Sequence, residues 1–431
     1  MQVIINPHQE NWSSILKRPA IDNSALQEKV KAVLDDVKLN GNRAVKKYTS
    51  DFDKVMLNHF AVTTDEIEEA ETMLSEDLKA AIKQAAANIE AFHVKQVSQP
   101  EIIETMPGIQ CWRKSVGIEK VGLYIPGGTA PLFSTILMLA IPAQIAGCKE
   151  IILCSPPSKD GKLNPAILYA ARITGVTKIF KIGGVQAIAA MAYGTETVPQ
   201  VYKIFGPGNQ YVTCAKQLVQ QEGIAIDMPA GPSEVCVWAD ETADADFIAA
   251  DLLSQAEHGA DSQVLLVCNK ELIAQNVVTA IEQQLKALPR QDFAIKALEN
   301  SKIIVLENTE DAIELINAYA PEHLIISCKD DEQLGERIIN AGSVFLGNYS
   351  PESVGDYASG TNHTLPTNGF AKAYSGVSVD SFVKKVTFQK LTPQGLQNIA
   401  STVVAMAEAE GLDAHANAVR VRMQPPSPEG K

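Results

Sequence analysis

Short apolar runs alternate with helix-length segments through most of this chain, and few folds are compatible with that order. From about residue 117, strand-like runs end in glycine or proline, as at Pro126-Gly-Gly128 and Gly206-Pro-Gly208, before a helical segment begins. A second alternation of the same kind begins near residue 233. Parallel strands joined by crossover helices give this pattern, because helices then cover both faces of the sheet. The sequence therefore predicts the α/β class with two doubly wound, Rossmann-like parallel-sheet domains, whose shared pattern suggests a duplication.

The patterns also predict where each segment lies. Apolar residues at helical spacing, such as Ile82, Ala85 and Ile89, predict two or three long helices before the main body. The predicted strands are 121–125, 150–154, 178–182, 201–205, 235–238, 263–267, 302–306, 323–327 and 343–346. The predicted segments are 1–116 (N-terminal helical segment), 117–232 (first Rossmann-like domain), 233–375 (second Rossmann-like domain) and 376–431 (a small helical C-terminal tail).

The amino-acid composition limits the kinds of partner that this chain is expected to bind. The 431 residues carry a net charge of −14, which argues against nucleic acid or an anionic membrane as a partner. The seven cysteines are scattered without a CxxC pair, which argues against a disulfide scaffold and favours a reducing compartment. The N-terminus lacks the features of a secretory signal, and the apolar stretch 131–147 is too short and interrupted for a membrane span. We therefore expect a cytoplasmic protein that is not bound to a membrane.

Two glycine loops follow predicted strands. Tyr124-Ile-Pro-Gly-Gly-Thr129 and Phe205-Gly-Pro-Gly-Asn209 each open a helix, where backbone N–H groups can face a phosphate. Neither loop is the GxGxxG fingerprint, so tight turns without a ligand explain each loop alone equally well. Two such loops in one sheet, together with Gly183-Gly-Val-Gln186, favour a nucleotide site.

Two polar pairs lie beside the ends of predicted elements. Gln255 and His258 are three residues apart near the end of a helix, so both project from one face and could hold an ion or a substrate. A helix cap by His258 is an equally good interpretation. Glu322 and His323 precede a predicted strand and could divide the roles of base and water activator, or form a salt-bridged surface turn.

The irregular segment 347–363 is unusually long for a loop inside a compact domain, and such loops are usually functional. It carries Glu352, Asp356 and His363. Polar residues of the terminal helices are expected, taken alone, to face solvent. No cysteine lies in the polar segments, which argues against a thiol nucleophile, and the His, Asp and Gln set is compatible with zinc. The residues alone thus predict a two-domain α/β enzyme that depends on a nucleotide and a metal.

Four motifs, taken together and in order, closely resemble those of the histidinol dehydrogenase family. The resemblance extends from about residue 117 to 421 and, more weakly, through the helical front. The motifs are Ile226-Asp-Met-Pro-Ala-Gly-Pro-Ser-Glu234, Asp251-Leu-Leu-Ser-Gln-Ala-Glu-His-Gly259, Tyr319-Ala-Pro-Glu-His-Leu-Ile325 and Gly355-Asp-Tyr-Ala-Ser-Gly-Thr-Asn-His363.

The resemblance implies an NAD-dependent four-electron oxidation of L-histidinol to L-histidine through bound histidinaldehyde, the last step of histidine biosynthesis. The alternative within the same class is an NAD-dependent dehydrogenase of another amino alcohol or polyol on the same scaffold. An alternative from a different class is a metal-stabilised dimer that binds a nucleotide without catalysis. The intact pair of Glu322 and His323 argues against that alternative.

The resemblance also implies roles for individual residues. Glu322 would activate water and His323 would be the general base. The implied NAD contacts, in the first Rossmann-like domain, are Tyr124, Gln186 and Asn209. One Zn²⁺ per subunit would be held by Gln255, His258, Asp356 and His415, the last from the exchanged C-terminal tail of a homodimer partner. The substrate would contact the four zinc ligands, His323, and in addition Ser233, His363 and Glu410.

Overall fold

The structure is a computed structural model that describes residues 1–19, 24–127, 131–229 and 231–424. The chain divides into two compact units. The core unit comprises Met1–Gln96 and Ile118–Phe382, and the tail unit comprises Val97–Gly117 with the described part of Val383–Lys431. Among the described ranges, no helix combines the length and the apolar character that a membrane span requires.

The strands are short and mostly buried in the core unit. They are β1 (Gln2–Ile5), β2 (Ile102–Met106), β3 (Ile109–Gly117), β4 (Lys120–Tyr124), β5 (Glu150–Ser155), β6 (Lys178–Lys181), β7 (Lys203–Phe205), β8 (Ala225–Ile226), β9 (Glu234–Ala239), β10 (Gln263–Cys268), β11 (Lys302–Val305), β12 (His323–Ser327), β13 (Ser343–Leu346) and β14 (Val383–Leu391).

Helices separate most of these strands, as the sequence predicts, but a short helix at Glu352–Tyr357 lies in the segment 347–363 that was predicted as an irregular loop. They are α1 (Trp12–Ile15), α2 (Ser24–Tyr48), α3 (Thr64–Met73), α4 (Glu76–His93), α5 (Phe133–Ile145), α6 (Pro165–Ile173), α7 (Gly184–Tyr193), α8 (Gln210–Gln221), α9 (Ala245–Ala256), α10 (Glu271–Leu285), α11 (Gln291–Glu299), α12 (Thr309–Tyr319), α13 (Asp331–Gly335), α14 (Glu352–Tyr357), α15 (Pro393–Ala409) and α16 (Asp413–Met423). The backbone of α2 breaks at Gly41, where φ is +50° and ψ is −130°.

The first parallel sheet has the order β6-β5-β4-β7-β8. The predicted doubly wound α/β fold is confirmed. The front helices are part of this layer structure, because apolar residues of α2 pack with α7 and α8 on one face and those of α4 pack with α5 and α6 on the other. The strand order reverses between β4 and β7, so the loops that follow these two strands flank the topological switch point.

The second parallel sheet has the order β1-β11-β10-β9-β12-β13. Helices α9, α10 and α11 cover one face, and α12 covers the other. The edge strand β1 comes from the segment that the sequence predicts as helical. It pairs with β11, with Val3 beside Ile303, and a pairing so distant in sequence has no local signal.

The tail unit contains an antiparallel sheet of order β14-β3-β2. Strand β14 pairs with β3 along its whole length, from Val383 beside Gly117 to Leu391 beside Ile109. The two predicted tail helices are present as α15 and α16. Residues 97–116 were predicted as part of the N-terminal helical segment, whereas they contain β2 and most of β3, and β3 pairs with β14.

Candidate active site

The predicted polar residues of the core unit meet at the amino ends of β9 and β12. Glu322 directly precedes β12 and His323 begins it, while Gln255 lies in the last turn of α9. Asp356 lies in α14, and His258 follows α9. Ligands of parallel sheets commonly bind at the carboxyl ends of the strands. In the second sheet the cluster of polar residues lies instead at the amino ends.

His323 is buried and has a partner at each ring nitrogen. Nδ1 lies 3.1 Å from the carbonyl oxygen of Glu234, and Nε2 lies 3.2 Å from Oδ1 of Asp356. A carbonyl oxygen only accepts, so Nδ1 carries a proton. Burial lowers the pKa of His323, but the negative charges of Glu322, Glu352 and Asp356 outweigh burial and raise it to about 10. The surrounding carboxylates therefore favour the protonated imidazole over the neutral one.

Buried carboxyl groups surround this imidazole. Glu322 Oε2 accepts a hydrogen bond from the backbone N–H of Glu234 at 2.8 Å and lies 3.6 Å from Nδ1 of His323. Burial raises the pKa of Glu322 to about 7, that of Glu352 to about 8 and that of Asp251 to about 7. The cluster therefore contains carboxyl groups that can hold or release a proton near neutral pH.

Three of the four predicted zinc ligands lie in the core unit. Gln255 is 1 % exposed, and its Oε1 has no hydrogen-bond partner among the described residues. Burial lowers the pKa of His258, which keeps its imidazole neutral and leaves a nitrogen lone pair. Burial acts to raise the pKa of Asp356, but the hydrogen bond from His323 and nearby positive charge outweigh it and lower that pKa. A neutral His258 imidazole and an ionised Asp356 carboxylate are the protonation states in which these side chains can bind a cation.

The core unit does not supply a complete set of strong donors. Within the described ranges, no group of three or more His, Cys, Asp or Glu residues is arranged to hold a metal ion. His415 lies in the first turn of α16, and Glu410 lies at the end of α15, both in the tail unit. The assignment of His415 as the fourth ligand stays a prediction.

His363 has both of its ring nitrogens occupied. Nδ1 lies 2.7 Å from the backbone oxygen of Asp356, and Nε2 lies 3.0 Å from Oγ1 of Thr135 in α5. Burial lowers the pKa of His363, so the ring is neutral, donates from Nδ1 and accepts at Nε2. The bond to Thr135 connects the loop after α14 to a helix of the first sheet.

His93 is a packing residue. Its side chain is buried at the end of α4, with Nδ1 2.8 Å from the backbone oxygen of Ile89 and Nε2 3.4 Å from Nδ2 of Asn362. Because burial lowers its pKa, His93 is neutral. It supports the loop that carries His363 and takes no part in the cluster around His323.

The predicted nucleotide contacts gather around a cavity of about 850 Å³ at the switch point of the first sheet. Tyr124 and Asn209 line it, and the Tyr124 hydroxyl accepts a hydrogen bond from the backbone N–H of Gly184 at 3.0 Å. The Asn209 side chain caps α8, accepting from two backbone N–H groups. Gln186 is fully buried behind the cavity. Gly128 and Thr129 of the first predicted loop lie outside the described residues.

Asp53 lines the same cavity and was missed in the sequence analysis. Its Oδ2 accepts a hydrogen bond from Nε2 of Gln186 at 3.2 Å, while Oε1 of Gln186 has no partner in the described part of the chain. Burial raises the pKa of Asp53 to about 6. Rossmann domains commonly carry an acidic residue after their second strand, but here Ser155 and Pro156 occupy that place. The absence of an acidic residue at that place is the one feature of the sequence that could have directed the search to an acidic residue elsewhere, such as Asp53.

A second cavity, of about 900 Å³, adjoins the first. Ser233 and His258 from the second sheet line it, and Pro126 and Asn209 line both cavities. A nucleotide in the first cavity would therefore reach the second, where a small substrate would meet the predicted ligands. The structure thus brings together the predicted residues Tyr124, Asn209, Ser233, His258, Gln255, Glu322, His323, Asp356 and His363 within the core unit.

Two doubly wound sheets with a nucleotide-sized cavity at a switch point are typical of α/β enzymes that bind a dinucleotide, and a buried glutamate–histidine pair is suited to proton transfer. The family model described as Histidinol dehydrogenase matches residues 16–423. The chain belongs to the histidinol dehydrogenase family.

Individual relatives agree with this assignment. Histidinol dehydrogenase of Bacteroides thetaiotaomicron is 59% identical over 98% of this chain and 99% of the relative. That of Bacteroides fragilis is 60% identical, with the same coverage. The crystal structure of histidinol dehydrogenase from Elizabethkingia anophelis is 55% identical, covers 98% of each chain and superposes with a TM-score of 0.97. This protein is therefore an oxidoreductase of the dehydrogenase class.

Proposed function

We propose that this protein oxidises L-histidinol to L-histidine with two molecules of NAD, through bound histidinaldehyde, as the last step of histidine biosynthesis. The observation that carries the proposal is the buried pair of Glu322 and His323 close to His258, a residue that lines a cavity sharing Pro126 and Asn209 with the nucleotide-sized cavity. The names of the relatives support the substrate.

His323 is the proposed general base. With the Nδ1 proton held by the Glu234 carbonyl, Nε2 is the nitrogen that takes the alcohol proton in each oxidation. NAD, when bound by Tyr124, Gln186 and Asn209, supplies the acceptor for one hydride in each of the two oxidations. His323 releases its proton between the oxidations, so one residue serves both.

Glu322 is the proposed water activator. The aldehyde formed first has to add water before it can lose a second hydride as its hydrate. A carboxyl group with a pKa of about 7 can accept a proton from that water near neutral pH. The buried position of Glu322 keeps its carboxylate poorly solvated and therefore basic.

The proposed metal site holds one Zn²⁺ per subunit through Gln255, His258, Asp356 and the exchanged His415. The unpartnered Oε1 of Gln255 and the neutral imidazole of His258 fit a cation. When bound, Zn²⁺ would supply positive charge that orients the amine and imidazole nitrogens of the substrate and offsets the carboxylates around His323. Ser233, His363 and Glu410 are the remaining proposed substrate contacts.

The proposed assembly is a homodimer with exchanged tails. All five residues of β2 are exposed, and Ile102 and Ile103 are 59 % and 57 % exposed. Among the described residues, few side chains of the tail unit are buried, such as Ile109, Ala407 and Ala416. Apolar surface of this kind favours burial against a second copy. The net charge of −14 supports the expectation that the enzyme has no nucleic-acid or anionic-membrane partner, and the scattered cysteines support the expectation of a cytoplasmic location.

The stoichiometry of the reaction tests the proposal. Purified protein is mixed with L-histidinol and excess NAD, and NADH formed per histidinol consumed is measured. Two equivalents without free aldehyde are expected. One equivalent, or turnover only with an amino alcohol that lacks the imidazole, such as L-leucinol, would contradict the proposal.

A further inference from the structure

We propose that Arg18 and Glu234 are positioning residues for His323. Their ion pair anchors the first residue of β9, whose carbonyl oxygen then fixes the proton on Nδ1 and leaves Nε2 as the reacting nitrogen. This inference rests on the proposed role of His323 as the base. Neither residue was singled out by the sequence motifs for a role of this kind.

The ion pair is bidentate and buried. Nε of Arg18 donates to Oε1 of Glu234 at 2.5 Å, and Nη2 donates to Oε2 at 2.8 Å. The Glu234 side chain is 2 % exposed and that of Arg18 is 16 % exposed. The two residues are 216 positions apart in sequence. Parallel N–H···O bonds of this type fix orientation as well as distance.

Further contacts immobilise the pair. Nη2 of Arg18 also donates to the backbone oxygen of Tyr319 at 2.8 Å, and the guanidinium lies 4.1 Å from the centre of the Tyr319 ring. The backbone N–H of Asn368 donates to Oε1 of Glu234 at 2.9 Å. A buried carboxylate without such partners would be strongly unfavourable, so loss of Arg18 would force the Glu234 side chain to move.

The backbone of Glu234 contacts both proposed catalytic side chains. Its N–H donates to Oε2 of Glu322 at 2.8 Å, and its carbonyl oxygen lies 3.1 Å from Nδ1 of His323. A small displacement of this one peptide would therefore alter both contacts. Oε2 of Glu322, 3.6 Å from the same Nδ1, is the competing acceptor.

The position of that carbonyl determines which nitrogen reacts. A neutral imidazole carries one proton, and the hydrogen bond of one nitrogen decides the state of the other. If Nδ1 loses its acceptor, the tautomer protonated at Nε2 becomes populated, and that form cannot take the alcohol proton. Hydrogen-bond partners that fix the ring of a metal-ligating histidine in this way typically contribute 10- to 100-fold to activity, and we expect the same range for His323.

Arg18 also lines the cavity of about 900 Å³, so a direct contact with the substrate is the competing explanation. Its donors at Nε and Nη2 are already used by Glu234 and Tyr319. Loss of a positioning residue lowers kcat, whereas loss of a residue that only binds the substrate raises KM.

The test compares Arg18→Met, Glu234→Gln and Arg18→Lys in the zinc-loaded enzyme. The control is Arg337→Met, because Arg337 makes an equally bidentate pair with Glu310, but both of these side chains are exposed to solvent. For Arg18→Met and Glu234→Gln we expect kcat to fall about 10- to 100-fold with KM for L-histidinol within about twofold. Arg18→Lys should recover part of kcat, and Arg337→Met should not change it.

The second readout is the tautomer of His323, measured by NMR of enzyme labelled with ¹⁵N-histidine, with His323→Asn used to assign its signal. At a pH at which the imidazole of the zinc-loaded enzyme is neutral, we expect the proton on Nδ1 in the wild-type enzyme and a mixture of tautomers in Arg18→Met and Glu234→Gln. A raised KM with unchanged kcat, an unchanged kcat, or a low kcat with an unchanged tautomer would each overturn the inference. Because the tautomer is read without turnover, this result is independent of whether L-histidinol is the substrate.

Discussion

The chemistry of His323 depends on groups that come from three separate segments of the chain. Glu234 lies at the start of β9, Asp356 lies in α14, and Glu322 is its neighbour in sequence. Each contributes negative charge or an acceptor to the same ring. The pKa of His323 is thus determined by the groups around its ring in the fold and not by its neighbours in sequence alone.

Replacement of His323 should separate binding from turnover. We expect His323→Asn to lower kcat by about 10²- to 10⁴-fold, the range for loss of a general base, while the dissociation constant for L-histidinol changes little. Steady-state kinetics and calorimetry measure the two quantities. The control is His59→Asn, which makes the same substitution at an exposed position. Normal turnover in His323→Asn would show that another group is the base.

Asp53 should give the stability of the nucleotide-free protein a pH dependence. Its pKa is raised to about 6 by burial, so its ionisation opposes folding. The contribution is most favourable below the ordinary pKa near 3.8 and is lost as the pH rises through about 6. Asp53→Asn should therefore gain about 1–2 °C in Tm relative to wild type between pH 5 and pH 7.

Thermal unfolding at several pH values checks this prediction. Asp51→Asn removes the same charge from an exposed neighbour and controls for the change in net charge. A Tm difference between Asp53→Asn and wild type that is constant with pH would contradict a raised pKa at Asp53.

At the scale of elements, the loop between β7 and α8 is held very close to β4. Gly206 has a φ of +121°, and a Cβ there would collide with the backbone oxygen of Tyr124. Asp227 accepts a hydrogen bond from the Gly206 N–H at 2.8 Å, and Lys216 donates to the Gly206 oxygen at 2.8 Å. These contacts fix the loop next to Tyr124, so that Asn209 at the end of the loop lines the nucleotide-sized cavity.

Gly206→Ala should lose stability and nucleotide affinity together. We expect it to cost about 2–4 kcal/mol more than Gly223→Ala in denaturant unfolding, because backbone has to move. Gly223 is a matched control, since its φ of +95° gives similar strain while no described atom lies within 4 Å of its added Cβ. Equal losses in the two variants would show that the close approach of the loop to Tyr124 is unimportant.

Local patterns predicted the elements that are covered on both faces. The apolar runs at 121–125 and 263–267 coincide closely with β4 and β10, because buried parallel strands are continuously apolar. The strands β1, β2, β3, β8 and β14 were not predicted. β8 has only two residues, and the other four are partly or largely exposed. In addition, β1 and β14 pair with strands that are far away in sequence, so neither composition nor spacing distinguishes them from their surroundings.

The sequence predicted only those residues of the candidate site that lie in one of the motifs. Gln255, His258, Glu322, His323 and Asp356 lie in motifs of recognisable order, and the structure places them together. Arg18 and Asp53 lie in no motif and reach the site from the front segment, through contacts with residues more than a hundred positions away. Only the fold brings such residues to the site.

At the scale of the whole molecule, the exchanged tail can be tested by complementation. Chains carrying His323→Asn and His415→Asn are co-expressed with different affinity tags, and the heterodimer is isolated through both tags. With exchanged tails, one of its two sites combines an intact His323 with an intact His415. We expect about half of the wild-type turnover per dimer.

A second heterodimer is the control for this experiment. It pairs a wild-type chain with a chain that carries both substitutions. Exchanged tails leave it without an intact site, so it should be inactive, whereas a site built within one chain would retain about half of the turnover. The reverse pattern of activities in the two heterodimers would rule out the exchange.

The pairing of β1 with β11 also bears on how the chain assembles on the ribosome. Val3 pairs with Ile303, 300 residues later, so at about 5–20 residues per second roughly 15–60 s of synthesis separate them. The five-stranded sheet extends only from Lys120 to Ile226 and can close earlier on the nascent chain. We therefore expect β1 to be among the last strands of the molecule to pair, and to remain unpaired and accessible to a chaperone until β11 has been synthesised.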